Sequence, residues 1–548
     1  MTHAGKVVPY PAQFVERYRH EGLWGTMTIG AELHATAVRH PGTHALVTGE
    51  RQVTYAELDA RSDAIAAHLH RIGLRAGDPV ILQLGNTAES IEAFYGLIKM
   101  GAIPVCTLVP FGRHEIDSIA TIAGARAHLV QADVKGRDLL GLAEQVRAAV
   151  PTMRFTLSIR GGEDRAIRID DAPDLSPGES PPAPQGDAQG LAVLQLSGGT
   201  SGTPKLIPHL HCSYWYYGRA TAQRWGYEPG DRVAMFLPVF HNSGLHAGVF
   251  AAHAVGASLV LGAGWSPTEV LATLERERVT HLATLTSLIP EVCDDPSFPA
   301  ASRHLRRLSL ALPRVPGELF DRLDTADFRV CQFFGMSEGF STSMPTDAPR
   351  AMRRDSLGYP LSEADEFKLV EPLTGDPVSS GVGELCVRGP YTLRGYYGAA
   401  EHNATAFTDD GFLRTGDLAS IVEIDARACL RIEGRVKDLV SRGGEKINAA
   451  EIEALLREHP QIEEAALIGL PDPRLGQRPC ACVVAAPPGQ APSLEGIAAF
   501  LAERGVARFK WPERVEVFAA LPRTAVGKVA KRLLIEDLVA RDDANEVK

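Results

Sequence analysis

Cysteines, basic runs and unbroken apolar runs are all scarce in this sequence, and each shortage argues against a class of protein. The chain has only eight cysteines in 548 residues and no Cys-x-x-Cys pair, so buried reduced thiols are favoured over a metal site. Cys480 and Cys482 would share one face of a strand. The uncharged segment Leu245 to Gly264 contains two histidines and four glycines. It is a poor membrane-spanning helix and fits a buried α/β segment.

The charge balance is mildly acidic. The chain has 67 Asp and Glu residues against 56 Lys and Arg residues, a net charge of −11, and no long basic run. Neither a nucleic acid nor an anionic membrane surface is therefore expected as the main partner. The N-terminal sequence MTHAGKVVPYPAQF lacks the apolar core of a signal peptide, so we expect a cytoplasmic protein.

Strands and helices alternate over much of the chain. The segments DPVILQLG and AIPVCTLV have the character of buried strands and flank the helical segment SIEAFYGLIKMG. The same alternation recurs at 231–262 and 279–312, which predicts parallel sheets with helices on their faces. One helical stripe in the first region is formed by Leu58, Ile65, Leu69 and Ile72.

The length of the chain predicts more than one domain, because 548 residues are too many to fold around a single hydrophobic core. A Pro-, Gly- and acid-rich segment, 170–190, is expected to be a surface linker. From about residue 381 the pattern alternates like an antiparallel sheet. The tail predicts helices at 449–458 and 493–504 and strands at 464–469 and 514–518. The predicted fold class is α/β, with layered α/β subdomains, a β-rich subdomain and a small α+β C-terminal domain.

A glycine-rich loop follows the apolar segment LAVLQL. Its glycines let the backbone approach an anion, its hydroxyls donate hydrogen bonds, and its lysine adds charge. It does not match the P-loop pattern G-x-x-x-x-G-K-[ST]. Composition alone leaves both a phosphate-binding loop and an ordinary loop open. The candidate ATP-binding residues here are Ser197, Gly198, Gly199, Thr200, Ser201, Gly202, Thr203 and Lys205.

The full string SGGTSGTPK resembles the nucleotide loop of the adenylate-forming superfamily, which contains acyl-CoA synthetases, peptide-synthetase adenylation domains and luciferases. Further segments resemble later motifs of that superfamily and occur in the same order: FFGMSEG, GELCVRGP, RTGDL, GRVKD, RGGEKI and PRTAVGKVAKR. The resemblance covers roughly residues 30–535. It implies ATP and Mg²⁺ as cofactors and an acyl-adenylate as the intermediate.

The resemblance also implies a role for individual residues. Glu338 would bind Mg²⁺, and Asp417 would accept hydrogen bonds from the ribose hydroxyls. Arg435 would contact the ribose or a phosphate, and Lys528 would be the catalytic lysine. Taken singly, Glu338 would more often be a solvated loop carboxylate, Asp417 a surface turn residue, Arg435 part of a surface ion pair and Lys528 a solvated lysine. The family's second nucleotide motif implies further contacts from Gly335, Met336 and Ser337, and the segment after the glycine loop implies a catalytic role for His241.

The resemblance implies a mobile C-terminal domain as well. Asp438 would be the hinge between an adenylation core, residues 1–437, and a C-terminal domain, residues 438–548. Rotation about this hinge would bring Gly443 and Gly444 to the site and leave room for a pantetheine arm.

The acid to be activated is expected to be aromatic. Amino-acid-activating members usually hold an aspartate in the segment that here reads LPVFHNSGLHAG and has no acid. The pair His241-Asn242 instead resembles the aryl-acid:AMP ligases of siderophore pathways, which activate salicylate or 2,3-dihydroxybenzoate. In that subfamily the asparagine hydrogen-bonds the ortho hydroxyl; the alternative for Asn242 is a plain turn residue. The expected pocket residues are Asn242, Ser243, His246, Ala311, Leu312, Gly335 and Ser341.

Departures from the subfamily at Leu312, His246 and Ser341 leave the exact acid open. We expect an ortho-hydroxy or ortho-amino aromatic acid, with a heteroaromatic acid such as 3-hydroxypicolinate as an alternative. The product would pass to the phosphopantetheine thiol of a separate aryl carrier protein, because no Gly-Gly-x-Ser attachment signal follows Lys528. A CoA synthetase and a non-catalytic ligand-binding relative are the competing hypotheses.

Overall fold

A computed structural model describes most of the chain. The described residues are 3, 5–175, 187–197, 204–311, 315–325, 328–424, 427–442, 445–486, 492–504, 506–524 and 527–546. Most of the predicted linker at 170–190 lies outside them.

A seven-stranded sheet forms the first α/β layer. Its strands run parallel, except that the last two form an antiparallel hairpin. Across the sheet the strands are Ile167–Arg168, Phe155–Ile159, Ala127–Gln131, Pro79–Gln83, Ile103–Cys106, Leu191–Leu196 and Leu206–Leu210.

A nine-stranded sheet forms the second α/β layer. It is parallel in its interior and antiparallel at both edges. Across the sheet the strands are Tyr359–Pro360, Phe340–Ser343, Arg329–Met336, Arg307–Ala311, His281–Leu285, Arg232–Met235, Ser258–Leu261, His44–Val47 and Gln52–Thr54.

Two smaller sheets follow in the chain. The antiparallel β-rich subdomain has the strands Glu366–Val370, Val382–Arg388, Leu413–Ile424 and Arg427–Arg435. The tail has a sheet of its own, with the strands Leu439–Arg442, Glu445–Asn448, Ile462–Asp472, Gly476–Ala485 and Arg514–Val517.

Helices cover the faces of these sheets. The α-helices are Ala12–His20, Ile29–Arg39, Tyr55–Arg71, Ala88–Met100, Arg113–Ala123, Leu139–Ala149, His211–Trp225, Ala251–Val255, Pro267–Arg276, Ile289–Cys293, Phe298–Ala301, Gly317–Leu323, Arg350–Asp355, Ala400–Ala406, Ala449–Leu456, Leu494–Glu503 and Lys531–Glu546. A π-helix spans Gly244–Phe250, and short 3₁₀ helices span Val436–Asp438 and Arg508–Lys510.

Local sequence explains where the first long helix starts. The Thr54 hydroxyl accepts a hydrogen bond from the Glu57 backbone N–H, and the Glu57 carboxylate accepts one from the Thr54 N–H. This capping box satisfies two backbone donors that a helix start leaves unpaired. The apolar stripe predicted from Leu58 onward then faces the protein interior.

The two large sheets share one hydrophobic core. Leu82 and Val193 of the seven-stranded sheet belong to the same buried cluster as Val233 and Leu259 of the nine-stranded sheet, with Phe94 of an intervening helix. The tail residues form two separate clusters on opposite faces of the tail sheet. The predicted α/β class with a β-rich part and a small α+β tail is therefore what the described residues show.

Two further predictions can be compared with the structure. Cys480 and Cys482 are buried on one face of the strand Gly476–Ala485, as expected, and carry free thiols. Among the residues described above, no cluster of three or more His, Cys, Asp or Glu side chains could hold a metal ion. No helix in this part of the chain is long and apolar enough to cross a membrane.

Candidate active site

The glycine-rich loop connects the two strands of the hairpin at the edge of the seven-stranded sheet. Its ends are joined by two hydrogen bonds: the Ser197 N–H donates to the Lys205 carbonyl at 2.9 Å, and the Lys205 N–H donates to the Ser197 hydroxyl at 3.0 Å. The predicted phosphate-binding residues Gly198, Gly199, Thr200, Ser201, Gly202 and Thr203 lie outside the described residues.

Glu338 lies in the tight turn between the strands Arg329–Met336 and Phe340–Ser343. The turn needs the glycine that follows: Gly339 has φ +91°, and a Cβ atom there would lie 1.9 Å from the Tyr391 carbonyl oxygen. The Tyr396 hydroxyl donates to Glu338 Oε1 at 3.0 Å. Burial raises the pKa of Glu338, although the Tyr396 hydrogen bond opposes the rise.

The chemistry of Glu338 fits a divalent cation. Tyr396 occupies one carboxylate oxygen, Oε1. Mg²⁺ is commonly held by one or two carboxylates together with substrate phosphates rather than by a full protein cage. A single carboxylate next to a nucleotide site is therefore a sufficient protein contribution.

Asp417 and Arg435 face each other on neighbouring strands of the β-rich subdomain. Arg435 Nε lies 2.7 Å from Asp417 Oδ1, and the Asp417 side chain is only 3% exposed. Burial raises the pKa of Asp417, while the positive charges of Arg435, Lys528 and Lys437 lower it. The two residues predicted to bind the ribose thus form one ion pair, and the predicted catalytic lysine is close enough to act on it electrostatically.

Lys528 lies at the end of a small turn in the tail. The Thr524 N–H donates to the Lys528 carbonyl at 2.7 Å, and the Gly527 N–H donates to the Thr524 carbonyl at 2.9 Å. The protein around Lys528 and the charges of Arg435 and Lys437 lower its pKa, while Asp417 and Asp438 oppose that change. The tail therefore adopts an arrangement that presents Lys528 to the nucleotide motifs of the core.

His241 is an uncharged side chain facing Lys528. The Ser243 N–H donates to His241 Nδ1 at 3.3 Å, and the Ser243 hydroxyl lies 2.9 Å from the same atom, so Nδ1 accepts and Nε2 carries the proton. Desolvation by the surrounding protein, together with the Lys528 charge, lowers the pKa of His241 to about 4. The side chain is exposed in the structure, so its Nε2–H can donate to a bound group.

Asn242 is buried between two elements that are distant in sequence. Its Oδ1 accepts a hydrogen bond from the Tyr214 hydroxyl at 2.9 Å, and its Nδ2 donates to the Met336 carbonyl at 3.2 Å. Tyr214 belongs to the helix after the glycine loop, and Met336 belongs to the second nucleotide motif. Asn242 therefore joins the predicted acid pocket to the nucleotide site and is not a surface turn residue.

The other predicted pocket residues surround a stack of aromatic rings. The Tyr217 ring lies 4.0 Å from the His246 ring and 4.2 Å from the Tyr391 ring, parallel to both. Burial raises the pKa of Tyr217, and hydrogen bonding with Ser341 and Asn242 opposes this. Ser341 donates to the Phe334 carbonyl at 2.7 Å. The predicted pocket residues His246 and Ser341 thus lie in surroundings that are polar as well as aromatic.

The remaining predicted site residues are placed at strand ends. Gly335 and Met336 end the strand before the Glu338 turn, and the Ser337 carbonyl lies 2.9 Å from His209 Nε2. Ala311 ends the strand beside it. Leu312 lies outside the described residues.

Asp438, the predicted hinge, lies between the last strand of the β-rich subdomain and the first strand of the tail sheet. Asp438 ends the 3₁₀ helix Val436–Asp438, and its carboxylate lies 3.9 Å from Lys531 Nζ. Asn448 of the tail donates to the Glu433 carbonyl of the core at 2.6 Å. The predicted pantetheine residues Gly443 and Gly444 lie outside the described residues.

Sequence reasoning missed the side chains that orient the predicted ones. Tyr396 contacts Glu338, and Gln195, Tyr214 and Tyr217 lie behind Asn242. A signal existed for two of them: Tyr214 and Tyr217 are three residues apart in the helix that follows the strand after the glycine-rich loop, so they share a face.

Comparison with known proteins gives matches along almost the whole chain. Residues 33–397 match the model for AMP-binding enzymes, and residues 451–528 match the model for the AMP-binding enzyme C-terminal domain.

Individual relatives are similar over their full lengths. A 2,3-dihydroxybenzoate-AMP ligase of Bacillus subtilis is 35% identical, with 96% of this chain and 97% of that protein covered. A salicyl-AMP ligase / salicyl-S-ArCP synthetase of Mycobacterium tuberculosis is 36% identical, with 97% and 95% covered. The apo structure of Mycobacterium smegmatis MbtA superposes with a TM-score of 0.74 at 32% identity, covering 97% of this chain and 99% of that one. The likeness to MbtA confirms the predicted fold class.

Proposed function

This chain belongs to the AMP-binding enzyme family, and we propose that it uses ATP to activate an aromatic carboxylic acid and then transfers the acyl group to a thiol. The ordered motifs predicted membership of the adenylate-forming superfamily. The matches to the models for AMP-binding enzymes and their C-terminal domain confirm it. The observation that carries the proposal is the juxtaposition of two features. The charged group Asp417, Arg435 and Lys528 lies next to a pocket whose first residues, His241 and Asn242, are neutral.

The first half-reaction joins the acid to AMP. A carboxylate oxygen of the acid attacks the α-phosphorus of ATP, a new C–O–P linkage forms, and the bond to the pyrophosphate oxygen breaks. Lys528 offsets the negative charge where the carboxylate and the α-phosphate meet. Asp417 accepts hydrogen bonds from the ribose hydroxyls, and Arg435 holds that carboxylate in place. When bound, Mg²⁺ would neutralise phosphate charge, and Glu338 is the side chain that would hold it.

His241 and Asn242 select and orient the acid. The neutral His241 offers its Nε2–H donor toward the reacting carboxylate without adding a full positive charge beside Lys528. An amino acid would require a carboxylate to pair with its ammonium group, and the segment 237–248 has none. The relatives named for salicylate and 2,3-dihydroxybenzoate support an aromatic acid with a polar ortho group.

The second half-reaction requires a different arrangement of the tail. The thiol sulfur of a phosphopantetheine arm attacks the acyl carbon, a thioester forms, and AMP leaves. We place the domain boundary at 437/438, so that residues 438–548 turn about Asp438 and withdraw Lys528. The tail's own sheet and its separate hydrophobic clusters support movement as a unit. The acceptor we propose is a separate aryl carrier protein.

Two assays test this function. ATP–pyrophosphate exchange should be stimulated by salicylate, 2,3-dihydroxybenzoate or 3-hydroxypicolinate and not by aliphatic acids or amino acids. Thioester formation should then be faster with a phosphopantetheinylated aryl carrier protein than with free CoA. Exchange stimulated only by a fatty acid or an amino acid would contradict the aromatic substrate, and a preference for CoA would contradict the carrier protein.

A further inference from the structure

The turn that contains Glu338 is hydrogen-bonded to the segment 389–398. The Leu393 N–H donates to the Glu338 carbonyl at 2.8 Å, and the Thr392 hydroxyl donates to the Gly339 carbonyl at 2.6 Å. The same segment supplies the tyrosine whose hydroxyl contacts the Glu338 carboxylate. One stretch of chain therefore holds both the backbone and the side chain of Glu338, so the position of the carboxylate depends on that stretch.

Two side chains near the N-terminus hold this segment by its carbonyl groups. The Tyr10 hydroxyl donates to the Thr392 carbonyl at 2.5 Å, and the Trp24 indole N–H donates to the Pro390 carbonyl at 2.9 Å. Thr392 thus accepts a hydrogen bond from Tyr10 and donates another to the turn. Two hydrogen bonds therefore connect the N-terminal residues to the turn through a single residue.

The N-terminal backbone also contacts the second half of the segment. The Gly398 N–H donates to the Lys6 carbonyl at 2.9 Å. Val8 packs so closely on Gly395 that a Cβ atom on this glycine would lie 2.5 Å from the Val8 side chain. The N-terminal residues therefore hold the segment along most of its length.

Aromatic packing alone does not explain the two donors. The Trp24 ring lies 4.9 Å from the Tyr10 ring and 5.2 Å from the Tyr18 ring, and both Trp24 and Tyr18 are buried. A phenylalanine at position 10 could pack against Trp24 in the same way. Tyrosine and tryptophan add an O–H and an N–H, and both groups donate to carbonyls of the segment that holds Glu338.

We propose that Tyr10 and Trp24 are positioning residues for the adenylation reaction, which act on Glu338 through the segment 389–398. The inference rests on the proposed function, in which Glu338 is the side chain that would hold Mg²⁺. Loss of either donor releases a carbonyl of the segment, and the Glu338 carboxylate then spends less time in the position that binds a cation. The loss therefore raises the Mg²⁺ requirement of adenylation. Thioester formation from pre-formed acyl-adenylate releases no pyrophosphate and keeps its rate.

Tyr10→Phe removes the hydroxyl and keeps the ring. The Mg²⁺ concentration for half-maximal ATP–pyrophosphate exchange should rise about threefold to tenfold, as expected for the loss of one hydrogen bond. Binding of Mn²⁺ in the presence of ATP, followed by electron paramagnetic resonance, should weaken by a similar factor, and this readout does not require turnover. Tyr18→Phe deletes a hydroxyl of the same aromatic cluster and should leave both quantities unchanged. Wild-type values of either quantity in Tyr10→Phe would overturn the inference.

A double-mutant cycle tests whether Tyr10 acts through Glu338. Tyr10→Phe and Tyr396→Phe both loosen the same carboxylate, so the Mg²⁺ requirement of the double variant should rise by less than the product of the two single increases. An increase equal to that product would mean that Tyr10 and Tyr396 act independently, and it would overturn the positioning role.

The second donor and the second half-reaction complete the test. Trp24→Phe removes the indole N–H and should also raise the Mg²⁺ requirement; a wild-type requirement would overturn the role of Trp24. Both variants should transfer the acyl group from pre-formed acyl-adenylate at the wild-type rate, and an equal loss in both half-reactions would overturn the inference. Absence of exchange with every acid in the wild type would instead contradict the proposed function, and the Mn²⁺ titration would still decide the role of Tyr10.

Discussion

The guanidinium group of Arg435 holds the buried carboxylate of Asp417 across two antiparallel strands, with Nε 2.7 Å from Oδ1. The pair stands beside Lys528, although the lysine comes from the tail and the pair comes from the core. Burial raises the pKa of Asp417, and the neighbouring cations restrain that rise. The charge state of Asp417 therefore depends on the residues that surround the nucleotide.

Arg435→Met should weaken ATP binding, and more so at low pH. Without the guanidinium group the pKa of Asp417 rises further, and the protonated acid accepts ribose hydrogen bonds poorly. Since the ionised form is lost as the pH falls through this pKa, the acid limb of kcat/KM for ATP should move to higher pH. We expect KM for ATP to rise about tenfold at neutral pH. Arg427→Met, an exposed arginine of the same strand packed on Tyr359, is the control. Parallel pH profiles in wild type and Arg435→Met would refute the coupling.

Lys528→Ala should separate the two half-reactions. Adenylation should fall by about 100-fold or more, because a positioned charge at the reacting phosphate is lost. Thioester formation from pre-formed acyl-adenylate should remain. Lys510→Ala, which removes a tail lysine paired with Glu451, is the matched control.

A titration gives a second readout for the same lysine that does not depend on turnover. The Lys528 charge contributes to the lowering of the pKa of His241 to about 4, so NMR titration of Lys528→Ala should show a higher His241 pKa. An unshifted His241 resonance would mean that the tail does not hold Lys528 at the site in solution.

Asp438→Pro should spare adenylation and impair thioester formation. Asp438 ends a 3₁₀ helix, and 3₁₀ helices typically have φ values near those that proline imposes, so we expect the substitution to be compatible with the arrangement that presents Lys528. It should resist the φ change that rotation of the tail requires, and reduce transfer by at least about tenfold. Asp438→Ala removes the same carboxylate without fixing φ and should impair transfer much less. If alanine and proline have equal effects, the ion pair to Lys531 matters and the hinge does not.

Local sequence predicted several of the helices and strands, and short motifs named the candidate nucleotide-binding residues. The strand Pro79–Gln83 is a short apolar run, and the helix Ala88–Met100 has apolar residues at helical spacing. The capping box of the helix that begins at Tyr55 is formed by residues within a stretch of four, 54–57. The residues Asp417 and Arg435 were likewise recognisable from short motifs, although each motif alone also fitted a surface turn or ion pair.

Contacts between segments that are distant in the chain could not be predicted from local sequence. Asn242 is 28 residues from Tyr214 and 94 from Met336, and Glu338 is 58 from Tyr396. Each of these bonds depends on how two sheets and a helix pack, which no local propensity specifies. The π-helix Gly244–Phe250, which directs His246 onto the Tyr217 ring, also has no simple periodic signature.

Tyr396→Phe should weaken the Mg²⁺ dependence of adenylation. The hydroxyl of Tyr396 occupies Glu338 Oε1, and its ring lies 5.8 Å from Lys205 Nζ, so one side chain contacts both the turn of the second nucleotide motif and the end of the glycine-rich loop. Without the hydrogen bond Glu338 can rotate away from the phosphates, and loss of an outer partner of this kind typically costs about tenfold in metal affinity.

The pH dependence of this variant has a definite sign. The Tyr396 hydrogen bond opposes the burial that raises the pKa of Glu338, so its removal raises that pKa further. Protons then compete better with Mg²⁺, and the Mg²⁺ concentration for half-maximal exchange should rise more at pH 6 than at pH 8. Binding of Mn²⁺ in the presence of ATP, followed by electron paramagnetic resonance, measures the same affinity without turnover. Tyr397→Phe, which deletes the neighbouring hydroxyl bonded to His3 at 2.7 Å, is the matched control. If both phenylalanine variants keep the wild-type Mg²⁺ dependence at both pH values, Tyr396 does not orient Glu338.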